Sequence, residues 1–157
     1  MSRVQHANET DIKDIVALNN SYAPLGLTLK RNDEFVYAHL ADYRVLRDAD
    51  GGIIGCAALD EYSPSVVEII SLAVAQDAQG LGHGKTLIKS LEQLAKKRGY
   101  AELFSVSFSD ALFLACGFKR AALTKYPEKI SRYERIDRSE LQVGEKHCFT
   151  KRLGAKT

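Results

Sequence analysis

Apolar and polar positions along this chain alternate between two periods, and the changes of period mark its elements. Residues 10–20 carry Ile12, Ile15, Val16 and Leu18 near a helical spacing, with Asn8 or Thr10 ahead of them as a cap. This predicts a first helix behind a short strand at residues 3–6. Pro24-Leu25-Gly26 then breaks the chain, and residues 32–40 read as a second short helix started by Asn32 or Asp33. Residues 43–47 switch to a two-residue period, and Asp48-Ala49-Asp50-Gly51-Gly52 is a hairpin turn into residues 53–59, so these two strands are predicted to pair antiparallel. After a second turn at residues 62–65, residues 66–74 are almost continuously apolar, the pattern of a central strand covered on both faces. Leu87, Ile88, Leu91, Leu94 and Ala95 recur at helical spacing within residues 84–98, and Lys96-Lys97-Arg98-Gly99 supplies a basic last turn and a stop. A strand at 102–107, a short helix at 109–116, a strand at 118–123 and a last strand near 146–152 complete the order.

Composition narrows the class of protein. At 157 residues the chain has the length of one domain, and such a domain buries roughly 70% of its unfolded surface. We therefore read residues 1–157 as a single domain. Hydrophobic and charged fractions of 45% and 27% exclude a disordered or fibrous chain, and a net charge of +2 excludes a generic polyanion binder while leaving room for one anionic small molecule. The excess positive charge lies at the end: residues 119–157 hold 11 Lys and Arg against 5 Asp and Glu. No apolar run approaches the roughly 20 residues of a membrane span, and polar residues follow Met1 where a signal peptide would place its apolar core. A cytoplasmic location is expected. Cys56, Cys116 and Cys148 are widely spaced, outside any metal-ligand pattern, and are expected to be reduced thiols with no structural metal.

The stretch with chemistry in it is Val74-Ala75-Gln76-Asp77-Ala78-Gln79-Gly80-Leu81-Gly82-His83-Gly84-Lys85-Thr86, a glycine-rich turn between the central strand and the longest helix. Unpaired backbone N–H groups and the macrodipole at a helix start favour phosphate there, and glycines let the backbone come close to it. Spacing separates the phosphate-binding patterns. A Walker A loop would need glycine where Gln79 stands, and a dinucleotide fingerprint would need G-x-G-x-x-G where this loop has G-x-G-x-G.

What remains, Gln79-x-x-Gly82-x-Gly84 after a strand ending in Leu72-Ala73-Val74, resembles the pyrophosphate motif of the GCN5-related N-acetyltransferases, the GNAT superfamily. The order of elements matches that superfamily along almost the whole chain, and Phe113-Leu114-Ala115-Cys116-Gly117-Phe118 resembles its second signature. The resemblance implies an α+β fold: a mixed, mostly antiparallel sheet of six or seven strands flanked by about four helices, splayed after the central strand so that the cosubstrate acetyl-CoA enters the gap. Ile54 to Leu59, Glu68-Ile69, Leu72 and Val74, Glu102-Leu103-Phe104, Phe113 and Tyr126-Pro127-Glu128 are most similar to the acetyltransferase domain of N-acetylglutamate synthases. The chain departs from that family at Ser105-Val106-Ser107-Phe108-Ser109, where Phe108 stands in place of an arginine that helps hold glutamate.

From this resemblance come the candidate residues. CoA would be held by Leu72, Ala73 and Val74, whose backbone pairs with its pantetheine arm and stabilises the oxyanion, and by Gln79, Gly80, Leu81, Gly82, His83, Gly84, Lys85 and Thr86 around its pyrophosphate. Glu68 is the expected general base, being the ionisable side chain of the central strand and sharing a face with Ile70 and Leu72, apolar surroundings that raise a carboxyl pKa. Phe113 replaces the superfamily's usual tyrosine acid, which leaves Ser107, Tyr126 or Tyr133 to substitute for it. Arg31 falls where N-acetylglutamate synthases place a clamp for the acceptor's carboxylate. Cys116 reads as a packed thiol and Lys96-Lys97-Arg98 as a charged helix end. The expected reaction is acetyl transfer to the primary amine of a small molecule, an amino acid with glutamate among the options. A protein N-terminus or lysine as acceptor, and a degenerate CoA-binding module without turnover, are the rival readings. The reading allows a homodimer and needs neither nucleic acid nor a membrane.

Overall fold

Asn8 sets the start of the first helical segment: its side chain accepts the Thr10 N–H at 3.1 Å, and Asp11 reaches back to the Asn8 N–H at 2.9 Å. The short turn Glu9–Asp11 continues into α1 (Ile12–Ser21). Asn32 caps α2 (Asp33–Ala38) in the same way, accepting the Phe35 N–H at 2.8 Å. The computed structural model describes residues 3–25, 28–127 and 147–154. Tyr133, Glu128 and the first residue of the predicted last strand, Lys146, lie outside the described residues.

The strands are β1 (Val4–His6), β2 (Tyr43–Arg47), β3 (Ile53–Ser63), β4 (Val66–Val74), β5 (Glu102–Ser107), β6 (Lys119–Ala121) and β7 (His147–Arg152). They form one sheet in the order β1-β2-β3-β4-β5-β7-β6, antiparallel except where β4 and β5 run parallel. Between these two lies α3 (His83–Lys97), and α4 (Asp110–Ala115) follows β5. The fold is the expected α+β sheet, with seven strands and four α-helices among the described residues.

Two layers cover the sheet. On one face Leu87, Ile88, Leu91 and Ala95 of α3 pack with Leu46, Leu59, Val67, Ile69, Leu103, Phe113 and Phe149. On the other, Ile15 of α1 and Val36 of α2 pack on Tyr43, Val45, Cys56, Ala58, Ile70 and Ala73. The central strand β4 contributes to both clusters, which is why its sequence has no polar stripe. Arg98, read from sequence as a charged helix end, also ties α3 to the preceding layer by a 2.6 Å ion pair with Asp42. Among the described residues no helix is long and apolar enough to cross a membrane.

Three differences from the pattern bear on the site. β3 runs four residues past the predicted end at 59, because Tyr62 packs edge-on against Phe104 and Tyr126 and keeps the strand paired up to Ser63 opposite Val66. β6 stops at Ala121 and gives way to a short turn at Leu123–Lys125, whose Lys125 reaches Glu102 at 3.0 Å. The third difference lies inside β4. Ala58 pairs with Ile70 and Cys56 with Ala73, so β4 carries one residue more than β3 over this interval. Ser71 takes up the surplus in a left-handed conformation, φ 57°. Beyond this bulge the alternation flips: Val67 and Ile69 face α3, and so do Leu72 and Val74, while Ile70 and Ala73 face α1 and α2. Glu68 therefore shares its face with Ile70 but not with Leu72, a correction to the strict two-residue alternation.

Candidate functional site

The bulge also opens the sheet. β4 and β5 stay in register from Val66 opposite Glu102 to Glu68 opposite Phe104. The Ser105 hydroxyl still donates to the Ile69 carbonyl at 3.0 Å, but beyond this point no further β4 residue pairs with β5, which instead follows β7 out to Ser107 opposite His147. A cleft of about 460 Å³ fills the divergence. Its β4 wall is the backbone edge from Glu68 to Val74, its β5 wall Ser105 to Ser109, and its ends are the start of α3 and the segment bearing Arg31.

The α3 end is built to accept negative charge. Gly80 and Gly82 are left-handed at φ 81° and 83°, and Gly82 caps the helix without a side chain. The first intrahelical bond from this cap is Thr86 N–H to Gly82 C=O at 3.1 Å, so the N–H groups of His83, Gly84 and Lys85 point out of the helix start without intrahelical acceptors. α1, α2 and α4 each carry acidic residues in the first turn; α3 carries none and has Lys85 there. A cation beside the positive end of a helix dipole is unfavourable unless an anion joins them. Gly84 has a different reason to be glycine: a Cβ there would lie 3.0 Å from Leu112 Cδ2, so it lets α4 approach α3.

Not every residue predicted for this loop faces the cleft. Gly80, Gly82, His83, Gly84, Lys85 and Gln79 line it, as do Leu72, Ala73 and Val74. Leu81 is 70% exposed outside it, and the Thr86 hydroxyl turns back to the Gly82 carbonyl at 2.9 Å. The Gln79 amide is also spoken for: it donates to the Val74 carbonyl at 3.1 Å and to the Tyr22 hydroxyl at 2.9 Å, while Tyr22 itself donates to Val74. Gln79 thus braces the loop against the end of β4.

At the other end Glu68 is 2% exposed and lines the cleft. Arg31 does so as well. Its main chain is held by Asn20 of α1 through bonds of 2.9 and 2.8 Å, its guanidinium stacks 4.3 Å from the Phe35 ring centroid, and its Nε is buried with no hydrogen-bond partner among the described residues. Such a guanidinium is oriented and under-satisfied, suited to a carboxylate. Ser107, the last residue of β5, lines the cleft and accepts the Ser109 N–H at 2.9 Å.

Tyr126 does not join them. It is 1% exposed, stacks 3.7 Å from Phe104, donates its hydroxyl proton to Glu102 at the opposite end of β5, and meets the Thr150 hydroxyl at 2.9 Å. The expectation of a catalytic Tyr126 is corrected: its apolar ring belongs to a cluster with Phe104 and Cys148. Phe113 is likewise in the core, against Phe118 and Phe149, with one surface on the cleft. Cys116 is buried, and burial pushes its thiol pKa up, away from nucleophilic use.

Sequence reasoning missed Tyr22, Ser71 and Leu112, all of which line the cleft. Ser71 matters most, because its hydroxyl meets the Tyr43 hydroxyl at 2.9 Å and its carbonyl accepts from the Cys56 thiol at 3.4 Å, fixing the bulge from below. Burial holds the Tyr43 pKa up at about 12, so the pair is uncharged. Tyr43→Phe is expected to lower unfolding stability by about 1–3 kcal/mol, since a buried hydroxyl loses its partner. Chemical denaturation measures this; an unchanged midpoint would mean that Tyr43 does not brace the bulge.

Comparisons with known proteins agree with this fold. Residues 12–118 match the family model described as acetyltransferase (GNAT) family. An uncharacterised N-acetyltransferase of Chlorobaculum tepidum is 32% identical over 129 residues, 82% of this chain and 83% of that protein. An amino-acid acetyltransferase of Neisseria meningitidis is also 32% identical, over 80% of this chain but 29% of its own length. Among solved structures, N-acetylglutamate synthase from Neisseria gonorrhoeae, complexed with coenzyme A and N-acetyl-glutamate, superposes with a TM-score of 0.82 at 27% identity, covering 99% of this chain and 36% of the synthase. The chain thus spans about a third of the length of the amino-acid acetyltransferase and synthase that it matches.

Proposed function

The chain belongs to the GNAT family of acetyltransferases, and from that membership we propose that residues 1–157 act as one domain transferring the acetyl group of acetyl-CoA to the primary amine of an amino acid. One observation carries the reading: a single cleft joins a helix start with no side-chain cap to a buried carboxylate and an oriented arginine.

The residues present fit acetyl-CoA as cosubstrate. The N–H groups of His83 to Lys85, with left-handed Gly80 and Gly82 and the Lys85 ammonium, suit its pyrophosphate. The edge of β4 from Ile70 to Val74, which β5 leaves unpaired, suits an extended arm bearing amides. Amino acids fit the other end. Arg31 binds the α-carboxylate, and Glu68 takes a proton from the ammonium, whose ordinary pKa is far above neutral. The neutral amine then attacks the thioester carbon. Backbone N–H groups of Leu72 to Val74 meet the charge that develops on the carbonyl oxygen; the nitrogen, carrying a surplus proton after attack, gives it up to solvent as the C–S bond breaks, and the Ser107 hydroxyl passes its proton to the departing thiolate while its oxygen is reprotonated. Phe108 offers no charge to an acidic side chain, so glutamate has no advantage over less acidic amino acids at that wall.

Thiol release with a panel of amino acids tests the reading. Arg31→Ala is expected to raise KM for the amino acid about 10- to 100-fold, the loss of a charged hydrogen-bonded partner of about 1.5–3 kcal/mol, with a smaller change in kcat. Turnover with peptides or protein lysines and none with free amino acids would overturn the amino-acid assignment, and CoA binding without turnover on any amine would favour a non-catalytic module.

A further inference from the structure

Three groups that the predicted site does not include, His147, Asp110 and Arg120, lie beside Ser107 at the β5 wall of the cleft. Ser107 and His147 are direct partners across the antiparallel β5 and β7, so their side chains leave the same face of the sheet, with Cβ atoms about 4.5–5.5 Å apart. That face is the one covered by α3 and α4, as the flanking pair Ser105 and Phe149 shows. Asp110, in the first turn of α4, lies on it: the His147 Nδ1–H donates to Asp110 Oδ2 at 2.9 Å. Arg120 of β6 reaches the same carboxylate, Nη2 to Oδ2 at 3.5 Å. With Nδ1 tied down, the other ring nitrogen, Nε2, is the one left for other partners. The His147 side chain is 35% exposed and so exchanges protons with water.

A serine hydroxyl alone is a poor acid for a thiolate, because its own proton is held far more tightly than that of a thiol, whose ordinary pKa is about 8.5. It becomes a competent donor if its oxygen is reprotonated as it gives its proton away. The geometry points to a proton relay in which His147, oriented by Asp110, supplies Ser107. Resting on the acetyl-transfer reading above, the step balances as follows. As the C–S bond breaks and sulfur keeps its electron pair, Ser107 Oγ–H passes to sulfur and the imidazolium Nε2–H passes to Ser107 Oγ. Neutral His147 then recovers a proton from water. His147 and Asp110 are positioning residues, since they act through Ser107.

The relay makes a coupling prediction that a structural role for His147 does not. His147→Ala should lower kcat about tenfold with the KM for acetyl-CoA changed less than about twofold, and should flatten the kcat–pH profile across the histidine range. In a Ser107→Ala background the same substitution should lose nothing further, because the two residues act in series. Equal losses in both backgrounds, or no loss in the first, would overturn the relay. A second measurement holds even for a protein without turnover. CoA should shift the NMR titration of the His147 ring in wild type and not in Ser107→Ala, and desulfo-CoA should not shift it in either. Absence of that shift overturns the relay, whereas absence of turnover with the shift intact counts against the acetyl-transfer reading alone.

Discussion

Glu68→Gln is expected to lower kcat by about 10²- to 10⁴-fold and to leave the affinity for CoA unchanged, the range that a positioned general base supplies. Glutamine keeps the shape of the side chain, which matters at a position only 2% exposed, where a shorter residue would leave a cavity and confuse loss of chemistry with loss of packing. It removes the ability to hold a proton. The position is also fixed on both sides: Glu68 is the last β4 residue in register with β5, opposite Phe104, and Ile70 on the same face is locked into the core beneath α1 and α2. The carboxyl therefore stands where the strands begin to part. A variant retaining more than about a tenth of wild-type kcat at neutral pH would mean that the amine gives up its proton elsewhere. If the loss is largely recovered at high pH, where the amine is neutral without help, the base assignment gains its second support.

How far the sequence foretells this site depends on whether a feature is written in residue type or in register. The α3 anion site is written in residue type: left-handed glycines and a missing acidic first turn are visible in the string Gln79 to Thr86. Glu68 is visible as a charge in an apolar strand. The opening of the cleft is not, because it follows from one surplus residue in β4, and the residue that absorbs it is Ser71, with no glycine to announce a left-handed backbone. The same bulge defeats simple alternation for Leu72. Tyr126 was misread for another reason: a tyrosine near a motif carries no sign of whether its hydroxyl or its ring is in use, and here Glu102 and Thr150 take the hydroxyl while Phe104 takes the ring. His147 sits in a terminal strand far along the chain from Ser107, and only the β5–β7 pairing brings the two together.

Gly82→Val should weaken CoA binding by about 100-fold, and its comparison with Gly51→Val isolates the reason. The two glycines are alike in backbone, with φ of 83° and 85°, and a Cβ on either meets nothing within 4 Å. A valine forced into this left-handed region costs on the order of 1–3 kcal/mol at both positions, so the two variants should lose similar thermal stability. They differ in surroundings. Gly51 turns the hairpin between β2 and β3, away from the cleft, whereas Gly82 caps α3 and lines the cleft beside the outward N–H groups of His83 to Lys85. If the open space over Gly82 belongs to the pyrophosphate, a branched side chain there excludes the ligand from those donors, and the loss of several charge-assisted bonds reaches about 3 kcal/mol, equivalent to about 100-fold. Isothermal titration with CoA measures both variants: Gly51→Val should bind as wild type, Gly82→Val far more weakly. Equal affinity in the two would mean that the helix start does not hold the pyrophosphate, whatever the fate of Glu68 and Arg31.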